Sequence, residues 1–150
     1  MTVEQHTRAT APSGAVARLR SARVPLLSGA AVGAAGLALV LRDPNRSGSW
    51  GACPLYALTG WYCPACGGLR ATHDLLTGDL AGAWAMNPVW VLLVPVVVGL
   101  WARWAWLRSR GRRADLGIQD RWYVVALVLL LVYGVARNVP AWSGVLAPPG

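Results

Sequence analysis

Apolar positions along this chain gather in long blocks instead of recurring at the spacing of a soluble helix or strand. Val24 to Leu41 is 18 residues without a charge, which reaches the lower bound of about 17 for a helix crossing the hydrocarbon core. Pro88 to Leu107 offers 20 more. Asn87 stands where an N-cap is needed, and Pro88 takes the first helical position, where a missing N–H costs nothing. Arg103 lies near the end of this block, within snorkelling reach of head groups. Pro95 inside it predicts a bend and not a stop. Trp122 to Ala136 is shorter, and it spans only if the helix runs on to Val139 with Arg137 in the far interface. The pattern predicts an all-α membrane protein with transmembrane helices at 24–41, 88–107 and 122–139. That leaves a flexible basic tail at 1–23, a polar loop at 42–87, a basic loop at 108–121 and a second tail at 140–150.

Composition supports this and adds an orientation. Apolar residues make up 55% of the chain and charged residues only 13%, which is not the balance of a soluble globule. All 14 basic residues are arginine, and with the Ala, Gly and Val excess this suggests a GC-rich bacterial genome. Arg8, Arg18, Arg20 and Arg23 precede the first span; Arg108, Arg110, Arg112, Arg113 and Arg121 fall between the second and third. Short arginine-rich loops stay on the cytoplasmic side, so the N-terminus is expected inside. In the 42–87 loop Arg42, Arg46 and Arg70 are offset by Asp43, Asp74 and Asp79, so that loop and the C-terminus are expected outside, at the bacterial cytoplasmic membrane. The formal charge of +8 raises nucleic acid as a partner, but the arginines flank apolar runs and no nucleic-acid motif surrounds them. Lipid is the expected partner. The first block exceeds the ~7 to 15 residues of a signal core and no Ala-x-Ala site follows it, so it is read as a span and not as a cleaved signal.

Within the polar loop, Leu69, Thr72, Leu75 and Leu76 share one face of a short helix between Pro64 and Thr77, which Gly78 ends. Asp79 is placed to cap a second helix running toward Trp84. Such helices lie at the membrane surface and do not cross it. Trp84, Trp90, Trp101, Trp104, Trp106, Trp122 and Trp142 fall near predicted boundaries, where an amphipathic ring is favoured. On the first span, Gly29, Gly33 and Gly36 form a face that admits close helix approach, for another span of this chain or for a partner.

The chemistry-bearing residues are Cys53, Cys63, Cys66 and His73. Cys63 and Cys66 have the two-residue spacing that lets both thiols reach one metal ion or each other. Adding Cys53 and His73 gives three sulfurs and one nitrogen, the ligand count of a closed zinc site. An outward loop also meets an oxidising compartment, where Cys53 can pair with Cys63 or Cys66, or Cys63 with Cys66. A redox enzyme would place its CxxC at a helix N-terminus, but the strand pattern of a thioredoxin domain is absent. Gly67 after the second cysteine rules against covalent haem attachment. The plain alternative is a compact hairpin in which the thiols are half-buried small residues, with turns shaped by Pro54, Gly60, Pro64, Gly67 and Gly68. Arg70 and His73 are one turn apart and share a face, as an anion or head-group site would need.

Cys53-Pro54, Leu58-Thr59-Gly60, Cys63-Pro64-Ala65-Cys66-Gly67, Arg70, His73, Leu75-Leu76, Gly78-Asp79-Leu80 and Asn87-Pro88 together resemble a small bacterial integral-membrane family catalogued as a domain of unknown function. The resemblance runs from Cys53 to Pro95. It implies a membrane protein with a cysteine-bearing loop between spans, and it brings no reaction and no catalytic residue. The expected function is a non-enzymatic accessory or assembly subunit of a larger bacterial membrane complex, with a respiratory-chain complex as the partner. The alternative is an extracytoplasmic thiol-redox or metal-binding membrane protein acting through the CxxC loop. No cofactor is expected, zinc at Cys53, Cys63, Cys66 and His73 being the exception to test.

Overall fold

The computed structural model describes residues 14–46, 48–51, 53–110, 112 and 118–149. Among them the chain is all-helical: α1 (Gly14–Leu41), α2 (Pro54–Thr59), α3 (Gly68–Thr77), α4 (Leu80–Met86), α5 (Pro88–Ser109), α6 (Asp120–Ala136) and α7 (Pro140–Leu146). Two stretches are long and apolar enough to cross a membrane, Ala22–Leu41 and Pro88–Ser109, with mean hydropathies of 2.1 and 1.7. α6 and α7 meet the same test only as a pair. Two or three candidate spans are consistent with a membrane protein, and their outward apolar side chains, such as Leu26, Leu37, Val96 and Leu129, are exposed as lipid contact requires.

Two expectations need correction. α1 begins at Gly14, upstream of Val24, because Ala15, Ala17, Arg18, Leu19 and Arg20 are strong helix formers and extend the helix backwards beyond the apolar span. Residues 1–13 of the expected tail lie outside the described residues, as do 111 and 113–117 of the expected basic loop. The third block is not a straight helix to Val139 either. α6 stops at Ala136 and α7 leaves it at 106°, because Arg137 turns into the protein instead of reaching an interface.

The polar loop folds as its turn residues dictate. Gly78 caps α3 at φ +89° and Asp79 caps α4 by accepting from the Gly82 N–H at 2.8 Å. Asn87 caps α5, its side-chain oxygen accepting from the Trp90 N–H at 3.0 Å with Pro88 next in line. Gly67 sits at φ +80°, and a Cβ there would lie 2.6 Å from the Met86 carbonyl oxygen, so only glycine allows the cysteine turn to close on the α4–α5 junction. α3 and α4 pack on each other, and α3 also packs on α1 and α5.

α1 and α5 lie together. The Trp101 indole N–H donates to the Ser28 hydroxyl at 3.1 Å, and that hydroxyl donates back to the Pro25 carbonyl at 3.0 Å. Of the three glycines, Gly29 meets the Trp101 ring, Gly36 faces Leu76, and Gly33 opens onto nothing within 4 Å. Gly29 is thus the residue that admits α5. A Cβ at Gly29 would lie 3.0 Å from Trp101 and one at Gly33 would touch nothing. Gly29→Val is accordingly expected to lower stability by about 1–3 kcal/mol while Gly33→Ala stays within about 0.5 kcal/mol. Thermal unfolding of the detergent-solubilised variants measures the difference, and equal melting temperatures would refute this packing.

Candidate metal centre

The cysteine turn lies between α2 and α3, tied by hydrogen bonds to Asn87 at the start of α5 and to Arg137 and Asn138 just after α6. Cys53 precedes α2 with Pro54 at the first helical position. After α2, Gly60 reverses the chain at φ +72° and brings Cys63 back toward Cys53. Residues 63–66 then form a tight turn in which the Cys66 N–H donates to the Cys63 carbonyl at 3.1 Å, while the Cys63 N–H donates to the Cys66 sulfur at 3.2 Å. The Cys63 Sγ lies 3.2 Å from the Cys66 Sγ and 3.6 Å from the Cys53 Sγ. All three sulfurs fall within 4.8 Å of one another. Cys53 is therefore part of the same site as the CxxC pair, which the spacing alone left open.

His73 is not. Its Nδ1 lies 2.9 Å from the Leu39 carbonyl and its Nε2 3.5 Å from the Asp43 carboxylate. Neighbouring groups serve the same end: the Asn45 side-chain amide donates to Asp74 at 2.8 Å, and the Arg70 Nε–H donates to the Pro44 carbonyl at 3.3 Å. Arg70, His73 and Asp74 thus fasten α3 to the C-terminal end of α1 and the turn that follows it. The four-ligand set inferred from spacing becomes a three-sulfur set. Arg70 and His73 point at backbone carbonyls in place of an open anion site.

The site's second layer comes from a part of the chain that spacing did not connect to it. Arg137 is fully buried. Its guanidinium donates to the carbonyls of Cys63 at 3.0 Å, Cys66 at 2.9 Å, Pro64 at 3.4 Å, Met86 at 3.3 Å and Leu146 at 2.8 Å. Asn87, equally buried, uses its amide N–H groups on Pro64 at 3.0 Å and Cys66 at 3.1 Å, while its oxygen accepts from the Tyr133 hydroxyl at 2.9 Å. Asn138 exchanges two bonds with the Tyr62 backbone, at 2.8 and 2.9 Å. An arginine closing an otherwise uncharged apolar run is a signal in itself; only its assignment to an interface hid it.

Residues 53–101 match the family model of DUF2752, a protein family of unknown function. No curated protein and no solved structure matches the chain. The DUF2752 segment holds all three cysteines and Asn87 and ends before α6, so Arg137, Tyr133 and Asn138 lie outside it.

Chemically, three sulfurs at this spacing can ligate one thiophilic metal ion, or two of them can pair. The thiols are not equivalent. The Tyr56 backbone N–H near the Cys53 sulfur holds that thiol below its ordinary value. Burial, reinforced by the Cys63 side chain, pushes Cys66 up to about 12. In metal-free protein Cys53 should accordingly be alkylated first and Cys66 last at neutral pH, read by mass spectrometry after a timed quench; Cys66 reacting first would contradict this geometry. The raised Cys66 value also sets a direction for stability. Burial favours the protonated thiol, so its contribution is present below about pH 9 and is lost as pH rises toward about 12. A melting temperature of the metal-free protein that rises across that window would be the opposite result.

Proposed function

We propose that this chain is a three-span protein of the bacterial cytoplasmic membrane whose outward loop holds zinc, or a closely related thiophilic ion, through Cys53, Cys63 and Cys66. The observation that carries the reading is the gathering of three sulfurs within 4.8 Å of one another. Thiolate is the ligand class that selects zinc and other soft ions over calcium or magnesium. Three protein ligands leave a fourth tetrahedral position for water or an incoming group, as in zinc sites that exchange ligands. The third span in this reading is α6, with the 106° bend laying α7 along the outer surface. The arginine distribution supports an N-terminus on the inner side. The site sits at the membrane surface, where a metal-bound or thiol-bearing loop meets extracytoplasmic solutes or the outer portion of a partner.

A second reading, an accessory or assembly subunit of a larger membrane complex such as a respiratory-chain complex, draws on one feature. α6 makes no extended contact with α1 or α5 among the described residues, so its flanks remain open to lipid or to a neighbouring helix. Co-purification in mild detergent tests it, and a tagged protein that always runs alone would sink it.

For the metal reading, the detergent-purified protein should carry about one zinc per chain. Cys53→Ser, Cys63→Ser and Cys66→Ser should each lower occupancy roughly tenfold or more without reducing protein abundance. Elemental analysis alongside quantitative immunoblotting separates the outcomes: equal loss of protein would mark the cysteines as packing residues, and unchanged zinc would remove them as ligands.

A further inference from the structure

We infer that Arg137 is the counter-charge of the metal-loaded cysteine cluster, so that the site takes a divalent thiophilic cation as a tri-thiolate. The inference rests on the metal reading above and goes beyond it by assigning the charge state of the bound site and the residue that balances it.

Arg137 is 0% exposed. Its hydrogen-bond acceptors are the backbone carbonyls of Cys63, Pro64, Cys66, Met86 and Leu146. The salt bridges found among the described residues join Asp43 to Arg46 and to His73, so none involves this guanidinium. Carbonyl dipoles solvate a cation without neutralising it, and a buried charge is costly unless it is paired. The same guanidinium nitrogen bonds the carbonyls of Cys63 and Cys66, whose sulfurs lie 3.2 Å apart. Two of the residues whose carbonyls receive the cation are thus the ones that carry two of the sulfurs.

The charges then close. A divalent ion binding three thiols breaks three S–H bonds, forms three metal–sulfur bonds and releases three protons to water, with no change of oxidation state. The product carries a charge of −1, and the guanidinium brings the sum of cluster and Arg137 to zero, with Arg137 and Cys66 buried and Cys53 and Cys63 half-buried. Neutral thiols without metal leave it at +1, and a monovalent ion on three thiolates leaves it at −1. Among states in which all three sulfurs are thiolates, the divalent ion is the one that brings the unit to zero. Arg137 acts in this arrangement as a positioning and charge-balancing residue; it does not ligate the metal.

The deciding measurement is zinc affinity by chelator competition on the full-length detergent-purified protein, for wild type, Arg137→Gln and Arg137→Lys. Arg137→Gln keeps a hydrogen-bonding side chain and removes the charge, and should weaken zinc roughly 10- to 100-fold; Arg137→Lys should recover most of that loss. A folded Arg137→Gln protein, with wild-type helical content and melting, that binds zinc as tightly as wild type would overturn the inference and leave the metal reading standing. Absence of zinc binding in wild type would overturn both. Should Arg137→Gln fail to fold, X-ray absorption at the zinc edge of the wild-type protein decides. Three sulfurs at about 2.3 Å support the neutral unit, and two or fewer overturn it.

Discussion

A guanidinium can be taken out of water only where enough oxygen atoms are already held in place to receive it. In this protein the carbonyls of Cys63, Pro64, Cys66, Met86 and Leu146 receive Arg137, and they come from the cysteine turn, the α4–α5 junction and the end of α7. Hydrogen bonds to a charged donor contribute about 1.5–3 kcal/mol each, against a desolvation penalty of several kcal/mol per buried ion. Each backbone segment that is lost removes part of that compensation. Much else at this end of the molecule follows from that condition. Gly67 must lack a side chain so that the turn can approach Met86. Asn87 must span Pro64 and Cys66 with one amide group. α6 must end at Ala136 so that the next residue can turn inward.

The same turn that gives its carbonyls to Arg137 gives its sulfurs to the cluster with Cys53. This arrangement couples fold and chemistry without sharing atoms between them. Cys63 and Cys66 contribute backbone to the buried network and side chains to the three-sulfur cluster. A serine in place of either sulfur leaves the carbonyl bonds available, whereas loss of Arg137 takes the side-chain donor from the Met86 and Leu146 carbonyls and one of two donors from those of Cys63, Pro64 and Cys66.

Much of the architecture is legible in the sequence because it depends on local chemistry. Asn87 with Pro88, Gly78 and Asp79 mark helix ends by capping rules that need no tertiary context. The first two spans are visible as uninterrupted apolar length. The cysteine grouping is legible in part: spacing pairs Cys63 with Cys66, but only the reversal at Gly60 adds Cys53. What spacing cannot carry is long-range partnership. His73 stands close enough in sequence to complete a ligand set, yet α3 turns its ring toward Leu39 and Asp43. Arg137 is separated from Cys63 by 74 positions, and nothing local distinguishes an arginine that snorkels outward from one that folds back. The start of α1 at Gly14 escaped because a hydropathy boundary marks where lipid begins, not where the helix does.

The way α6 is held has a mechanical meaning. Its C-terminal end is fixed through Tyr133, Arg137 and Asn138, and Gly134 there lets Pro64 come close, while the rest of its length lacks an extended contact with α1 or α5. A helix of 17 residues rises roughly 25 Å, so most of α6 extends beyond the end that is held. The bonds that hold this end are also the ones that shape the cysteine turn, so the attachment of the helix and the geometry of the turn are one set of interactions.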